Sequence, residues 1–370
     1  MRQMTSFLSC LILLMITVTS FPDKLDACTG IQLKARDGSV VYGRTMEFPT
    51  PLLSEVLFIP RNYSYQGTGP TGQPNGIAWK TKYSILGANG YGQDIILDGL
   101  NEMGLALGIF FFPGYAQYQN VAPAQAGQSL TCLQLSVWIL SNCATVDDVK
   151  RMLPNVLVNT SPYPAKQGNP QPVHYNIHDA AGRALVIEYV GGKVNVYDNP
   201  IGVLTNAPTF DWHQTNLNNY INLTPNNADT AILDGDTFAP FGQGSGMLGL
   251  PGDYTPPSRF VRAVAYSKSI DQMNTAEDAV YSLFHILDNF DIPKGAIRSV
   301  NSKGVKKEDY TLWTTANDLS NRRFYFHTHK SRIIRMIDLK QLNANSTKIL
   351  HFSMDQPEQV VNLTNSPITM

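Results

Sequence analysis

The segment Cys-Thr-Gly-Ile-Gln-Leu-Lys-Ala (28–35) begins with a cysteine and continues with alternating apolar and polar side chains. Asp37-Gly38 is a pair typical of tight turns, and the apolar-rich segment Val-Val-Tyr-Gly-Arg-Thr-Met (40–46) follows it. This pattern predicts a β-hairpin whose first strand carries Cys28 at its start.

The residues before Cys28 have the three-part layout of a secretory signal peptide. One arginine near the N-terminus precedes a mostly apolar stretch (7–18), which is too short for a comfortable membrane span. Cleavage after Ser20 would leave 21–27 as a short propeptide that is removed later, whereas direct cleavage before Cys28 is the alternative. We therefore expect residues 1–27 to contain a signal peptide, with or without a propeptide, and the protein to be exported.

A cysteine at a new N-terminus combines a thiol nucleophile and a free α-amino group on one residue. The pKa of such an amine is ordinarily about 7.7–8.0, so much of it is unprotonated near neutral pH and can act as a base. A nucleophile with an adjacent base is activated for attack, which predicts a hydrolase with Cys28 as its nucleophile. The alternatives are a buried structural cysteine and a lipid-attachment site, because Leu-Asp-Ala-Cys (25–28) resembles a lipobox.

Composition and charge are those of an ordinary globular protein. The 28 Lys and Arg residues nearly balance the 29 Asp and Glu residues, so neither nucleic acid nor an anionic membrane surface is an expected partner.

Periodicity predicts one domain over 28–370, with sheets packed between helical layers. The predicted helices are Ser129–Leu140, Val146–Leu153, Arg259–Ser267 and Ala276–Leu287. Beyond the hairpin and the turn-rich segment Asp98–Gly104, the predicted strand segments are Glu55–Pro60, Tyr83–Gly87, Leu105–Phe112, His174–Tyr197, Gly202–Thr205 and Tyr310–Leu339.

Four further polar residues are candidates for catalysis. Arg44 and Glu47 end the returning strand near Cys28, where a cation favours the thiolate and a carboxylate can orient the new amine. Asn206 ends an apolar strand and could donate to an oxyanion, and Arg259 lies near a predicted helix start. The alternatives are a surface salt bridge for Arg44 and Glu47, an Asn turn before proline for Asn206 and a helix-start charge for Arg259.

The seven histidines show no metal-ligand spacing, and phosphate-loop and dinucleotide motifs are absent from the sequence, so we expect neither metal nor cofactor.

Taken in order along the chain, several segments resemble the choloylglycine hydrolase family, whose N-terminal-nucleophile enzymes include conjugated bile salt hydrolases and penicillin V acylases. The resemblance runs from Cys28 to about Leu339. Its first blocks are Cys-Thr-Gly (28–30), Tyr-Gly-Arg-Thr-Met-Glu (42–47), Asp-Gly-Leu-Asn-Glu-Met-Gly-Leu (98–105) and Phe-Phe-Pro-Gly-Tyr (111–115). Its later blocks are Gly-Val-Leu-Thr-Asn-Ala-Pro-Thr-Phe-Asp-Trp (202–212), Leu-Asn-Asn-Tyr (217–220), Gly-Leu-Pro-Gly-Asp (249–253) and Ser-Arg-Phe (258–260).

The resemblance implies an α+β fold, a four-layer αββα sandwich of antiparallel sheets that is often assembled as a homotetramer and cleaves linear carbon–nitrogen amides. By motif position it implies that Cys28 is the nucleophile, with its own amine as the base. It also implies that Arg44 and Arg259 are active-site arginines and that Asn206 stabilises the oxyanion. Phe111 matches the position whose backbone N–H is a second oxyanion donor.

Two residues depart from the family pattern. Glu47 stands where the family usually has aspartate, so its contact with the amine is expected to shift. Phe111 stands where bile salt hydrolases commonly carry asparagine and penicillin acylases often tyrosine, so the backbone donor is kept but the side-chain contacts are not. Met46 and Phe48, which flank Glu47, and Phe111 are the candidate substrate-binding residues.

The sequence thus predicts an exported amidase, with glycine- or taurine-conjugated bile salts as the favoured substrates. Penicillin V and acyl-homoserine lactones stay open, because an apolar acyl pocket rejects near-isosteres only weakly. The alternative from another class is a lipid-anchored, non-catalytic binding protein attached through Cys28. For the amidase, the expected partners are a small-molecule amide and further copies of the chain in a homo-oligomer.

Overall fold

The computed structural model describes residues 27–163, 170–300 and 304–357, together with 360, 362 and 364. The predicted signal peptide lies outside the described residues, as does the predicted propeptide except for Ala27. The first strands are β1 (Thr29–Lys34), β2 (Val40–Phe48), β3 (Glu55–Ile59), β4 (Ser64–Gln66), β5 (Ala78–Lys80), β6 (Ile85–Ala88), β7 (Asp98–Asn101), β8 (Ala106–Phe111), β9 (Ser129–Thr131) and β10 (Leu157–Asn159).

The strands of the second half follow the same chain order. They are β11 (Val173–His178), β12 (Ala184–Val190), β13 (Lys193–Asp198), β14 (Val203–Leu204), β15 (Ala231–Leu233), β16 (Asp236–Phe238), β17 (Ile297–Val300), β18 (Lys306–Asp318), β19 (Arg323–Thr328), β20 (Arg335–Asp338) and β21 (Leu350–Ser353). The α-helices are α1 (Cys132–Asn142), α2 (Val146–Met152), α3 (Phe210–Asn216), α4 (Pro256–Ser269) and α5 (Ala276–Leu287).

Two large antiparallel sheets form the centre of the fold. The first sheet has the order β14-β1-β2-β18-β19-β20, with β17 paired to β18, and the second has the order β13-β12-β11-β8-β7-β6-β3-β21. The sheets face each other, since the ring of Tyr42 on β2 stacks on His178 of β11 with centroids 4.1 Å apart. Helices α4 and α5 pack on the outer side of the first sheet, and α1 packs on the second. The layers are therefore helix, sheet, sheet and helix, which confirms the predicted αββα sandwich.

The hairpin that carries Cys28 forms as its sequence predicts. Strands β1 and β2 pair antiparallel, with Gly30 opposite Arg44. The turn is stabilised by Asp37, whose Oδ1 accepts a hydrogen bond of 2.9 Å from the Ser39 N–H. Gly30 also allows the two sheets to approach, because a Cβ atom there would lie 2.6 Å from the Phe110 ring.

The helices begin at the caps that the sequence supplies. Thr145 accepts from the N–H of Asp148 at the start of α2, and Thr275 accepts from the N–H of Asp278 at the start of α5. Helix α4 begins three residues before the predicted start, because proline is favoured in the first helical turn.

Several elements differ from the sequence prediction, and the strands β4, β5, β10, β15, β16, β17 and β21 lie in segments for which no strand was predicted. The first half of the turn-rich segment, Asp98–Asn101, is the buried strand β7, because its backbone pairs with β6 on one side and β8 on the other. Ser129–Thr131, predicted as helix, is the short strand β9, which pairs parallel with β10. The short helix α3 was not predicted. Over the described part of the chain, we find no helix of the length and apolarity that crossing a membrane requires.

Candidate active site

Cys28 lies immediately before β1 and is 2% exposed. Ala27 precedes it in the described chain and is also buried, at 5% exposed. The Cys28 N–H donates a 2.8 Å hydrogen bond to Oδ1 of Asn206, which follows β14. Because β14 pairs with β1, sheet formation itself brings Asn206 to the cysteine.

Arg259 approaches Cys28 from the first turn of α4. Its Nη1 donates to the Cys28 carbonyl and, at 2.9 Å, to Oγ1 of Thr29. Its Nη2 donates to Asn206 Oδ1 at 2.7 Å. Burial lowers the pKa of Arg259 to about 10, and the nearby Glu47 carboxylate opposes that shift. The Arg259 guanidinium is therefore a buried cation that is hydrogen-bonded to the backbone carbonyl of the predicted nucleophile.

The side chain of Asn206 connects the two sheets. Its Oδ1 accepts from both Cys28 and Arg259, while its Nδ2 donates to the Phe111 carbonyl at 2.7 Å. Phe112, the residue after β8, donates its N–H to the carbonyl of Pro172, the residue before β11. Because a strand residue directs its N–H and C=O to the same edge, the Phe111 N–H points to the edge where Asn206 lies.

Arg44 is fully buried between the sheets. Its guanidinium carbon lies 4.2 Å from the Phe110 ring centroid and 5.7 Å from the Trp313 ring centroid. Its Nη1 donates to the Ile109 carbonyl. Burial lowers the pKa of Arg44, but the negative charge of an ionised Cys28 and of other neighbours outweighs burial and raises it overall. By the same coupling, Arg44 favours the Cys28 thiolate.

Glu47 is fully buried beside the same cavity as Cys28. Its Oε1 accepts a 2.8 Å hydrogen bond from Oγ1 of Thr311, whereas its Oε2 has no hydrogen-bond partner among the described residues. Burial raises the pKa of Glu47 to about 8, although Arg259 and the hydrogen bonds lower it. In the uncleaved chain, Asn206 rather than Glu47 accepts from the Cys28 N–H, so the predicted carboxylate–amine contact stays a prediction for the cleaved form.

An apolar cavity opens beside Cys28, with an empty volume of about 450 Å³ that includes its mouth. The three predicted substrate-binding residues, Met46, Phe48 and Phe111, all line it together with Cys28 and Glu47. Sequence reasoning missed the rest of the lining, because these residues lie on separate elements and share no local pattern. They are Leu52, Tyr91, Leu97, Ile109, Leu133, Gln171 and Val173. No group of histidine, cysteine and carboxylate side chains that could hold a metal ion occurs in the described ranges.

Similarity to known proteins agrees with this geometry. Residues 28–352 match the family model for linear amide C–N hydrolases of the choloylglycine hydrolase family. The chain is 33% identical over 325 residues to the bile salt hydrolase/transferase of Clostridium perfringens (strain 13 / Type A), covering 87% of this chain and 95% of that protein. It is 24% identical over 321 residues to the penicillin V acylase of Pectobacterium atrosepticum, covering 82% and 78%. The crystal structure of a mutant conjugated bile acid hydrolase from Clostridium perfringens superposes with a TM-score of 0.79 at 30% identity, covering 91% and 100%.

The fold and the family model agree on the class of protein, an enzyme that hydrolyses the carbon–nitrogen bonds of linear amides. The extent of the match and the identity to the clostridial enzyme show that the chain belongs to the choloylglycine hydrolase family. The predicted family, enzyme class and fold are thereby confirmed.

Proposed function

We propose that the protein is an N-terminal-cysteine amidase in which Cys28, exposed by removal of the residues before it, is the nucleophile. The observation that carries this proposal is the position of Cys28, which lines an apolar cavity and is bonded through its backbone to Asn206 and Arg259. Two buried arginines near the sulfur favour its thiolate form.

The reaction proceeds through a thioester. The α-amine of Cys28 takes the thiol proton, and the sulfur attacks the substrate carbonyl carbon. The amide group of Asn206 has two N–H donors, of which one bonds Phe111, so the second can stabilise the oxyanion with the Phe111 N–H. The α-ammonium then protonates the departing amine as the carbon–nitrogen bond breaks. Water, deprotonated by the same amine, attacks the thioester, which releases the acid and restores the thiol.

The proposed substrates are glycine- or taurine-conjugated bile salts, because several relatives are named as bile salt hydrolases or conjugated bile acid hydrolases. The mostly apolar cavity lining suits an apolar acyl group. Penicillin V is the second candidate, because a penicillin V acylase is among the relatives. We expect the purified enzyme to release taurine from a taurine conjugate faster than phenoxyacetate from penicillin V or homoserine lactone from its acyl derivatives. Faster release of phenoxyacetate would reassign the substrate, and no release from any of the three would contradict the amidase.

We also propose that the protein is exported and that its mature N-terminus is Cys28. Support comes from the signal-like leader and from the family match, which begins at Cys28 itself. Intact mass spectrometry of the protein from the exported fraction should give a chain that starts at Cys28 with a free amine. An acylated Cys28 would instead establish the lipid-anchored alternative.

Glu47 should make folding stability depend on pH. Burial raises its pKa from 4.5 in the unfolded chain to about 8, so the folded state binds this proton more tightly. The stability it contributes is complete below about pH 4.5 and is lost as the pH rises through about 8. The unfolding free energy of the uncleaved wild-type chain should therefore fall relative to that of the uncleaved Glu47→Gln chain between pH 5 and 9, by a few kcal/mol at about 1.4 kcal/mol per pKa unit.

Urea unfolding of both proteins at pH 5, 7 and 9 measures this difference. Glu277→Gln is the matched control, since Glu277 is exposed on α5. Parallel stability curves for the wild type and Glu47→Gln would show that Glu47 does not titrate in this range.

The hairpin β15–β16 is proposed to join copies of the chain in a homo-oligomer. Its strands are exposed along their whole length, including Ile232 and Phe238, and Phe241 beyond it is also exposed. Several large, exposed apolar side chains on one short segment are more typical of an interface than of free surface. The double variant Ile232→Ser and Phe241→Ser should sediment as a smaller species than the wild type. Tyr281→Ser, which removes an exposed ring from α5, is the control, and equal sedimentation of all three proteins would contradict the proposal.

A further inference from the structure

Two buried histidines donate hydrogen bonds to the backbone carbonyl groups of Asn206 and of the preceding residue, Thr205. His174 Nε2 lies 3.0 Å from the carbonyl oxygen of Thr205, and His213 Nε2 lies 2.9 Å from the carbonyl oxygen of Asn206. Both histidines are 0% exposed. A carbonyl oxygen can only accept, so each Nε2 carries a proton.

His174 is itself oriented by a buried carboxylate. Its Nδ1 lies 3.1 Å from Oε1 of Glu188, and that oxygen also accepts a 3.0 Å hydrogen bond from the Phe210 N–H at the start of α3. The ring stacks on Phe112 with centroids 4.3 Å apart. Whether the shared proton sits on the imidazole or on the carboxyl group, the Nε2–H still points at Thr205.

His213 lies three residues after Phe210 in α3. Its ring stacks on Phe260 of α4, with centroids 4.6 Å apart. Burial lowers the pKa of His213 to about 4, although its hydrogen bond to the Asn206 carbonyl opposes that shift. The ring is therefore neutral near pH 7, and its one N–H is the donor to the Asn206 carbonyl.

We propose that His213 and the His174–Glu188 pair are positioning residues for Asn206. They bond consecutive carbonyls, those of Thr205 and Asn206, and so set the direction in which the Asn206 side chain leaves the backbone. That side chain in turn bonds Cys28, Arg259 and the Phe111 carbonyl. The inference rests on the proposed function, in which Asn206 stabilises the oxyanion.

The physical reason is that an oxyanion donor acts only at the correct distance and angle, so a shift of about 1 Å can cost on the order of 100-fold in rate. Asn206 lies beyond the end of a two-residue strand, where the sheet alone constrains it weakly. The hydrogen bonds from His174 and His213 restrict the backbone of Asn206 further. The Phe210 N–H bonds the Glu188 carboxylate, which links the start of α3 to the His174–Glu188 pair.

The test compares His213→Phe with His213→Gln. Phenylalanine keeps the stacking on Phe260 but has no donor, whereas glutamine can place an amide N–H near the position of Nε2. We expect His213→Phe to lower kcat by about 10- to 100-fold with little change in KM, and His213→Gln to restore most of kcat. His285→Phe, on the exposed face of α5, is the matched control with wild-type kinetics. Circular dichroism and melting temperature establish that each variant is folded.

A double-mutant cycle separates positioning from general structural damage. If His213 acts through Asn206, adding His213→Phe to Asn206→Ala should change kcat by less than about twofold. A further 10-fold loss in that background, or a His213→Phe enzyme as fast as wild type, would overturn the inference. A wild-type enzyme without amidase activity would instead refute the proposed function, and the two failures are therefore distinct. Should His213→Phe not fold, His174→Gln and His174→Phe provide the same comparison at Thr205.

Discussion

Cys28→Ala should reduce kcat/KM for amide hydrolysis by at least about 10³-fold, the scale of loss seen when a catalytic nucleophile is removed. Alanine keeps the backbone contacts to Asn206 and Arg259 but removes the sulfur that forms the thioester. Cys143→Ala is the matched control, because Cys143 is likewise a buried cysteine but does not line the cavity. Substrate release is measured for both variants in the same assay, and its survival in Cys28→Ala would move the nucleophile elsewhere.

The same variant tests how the N-terminus is made. If the Cys28 thiol cleaves the bond to Ala27, Cys28→Ala and Cys28→Ser should keep residues that the wild type loses. Intact mass spectrometry detects that difference directly. A Cys28→Ala chain that begins at residue 28 would assign the cleavage to another protease and leave the catalytic prediction unchanged.

Asn206→Asp is expected to lower kcat by about 10²- to 10³-fold, the range found when one oxyanion donor is lost. Aspartate keeps an acceptor for the Cys28 N–H and for Arg259, so the fold of the site should persist. Aspartate lacks the Nδ2 donor, and its negative carboxylate repels the negative charge that develops on the tetrahedral intermediate. Because the lost interaction forms in the transition state, KM should change far less than kcat.

Asn199→Asp is the control for this substitution. Asn199 is also buried, but it bonds Gly202 and Val203 rather than Cys28. This variant should unfold at a lower temperature than wild type and keep its kcat. Equal losses of kcat in both variants would show that the introduced negative charge near β14, and not the loss of the Asn206 Nδ2 donor, lowers kcat.

Much of the local structure follows from the sequence because its causes are local. The alternation of residues 28–35, the Asp37-Gly38 turn and the antiparallel return together predict that Arg44 comes back toward Cys28, and in the structure Arg44 lies opposite Gly30. The caps of α2 and α5 likewise lie within three residues of the groups they satisfy. The segment Asp98–Asn101 shows the limit, since its turn-rich residues form a strand once β6 and β8 pair on both sides.

By itself, the sequence determined the hairpin with Cys28 at its start, the main helices and, through its ordered motifs, the family. Only the tertiary structure decided that Asn206 and Arg259, 178 and 231 residues along the chain, meet at Cys28. It also decided that Glu47 is buried with a raised pKa, and that His174 and His213 lie behind Asn206. These contacts cross between sheets and helices, and their energies depend on burial, which no short stretch of sequence specifies.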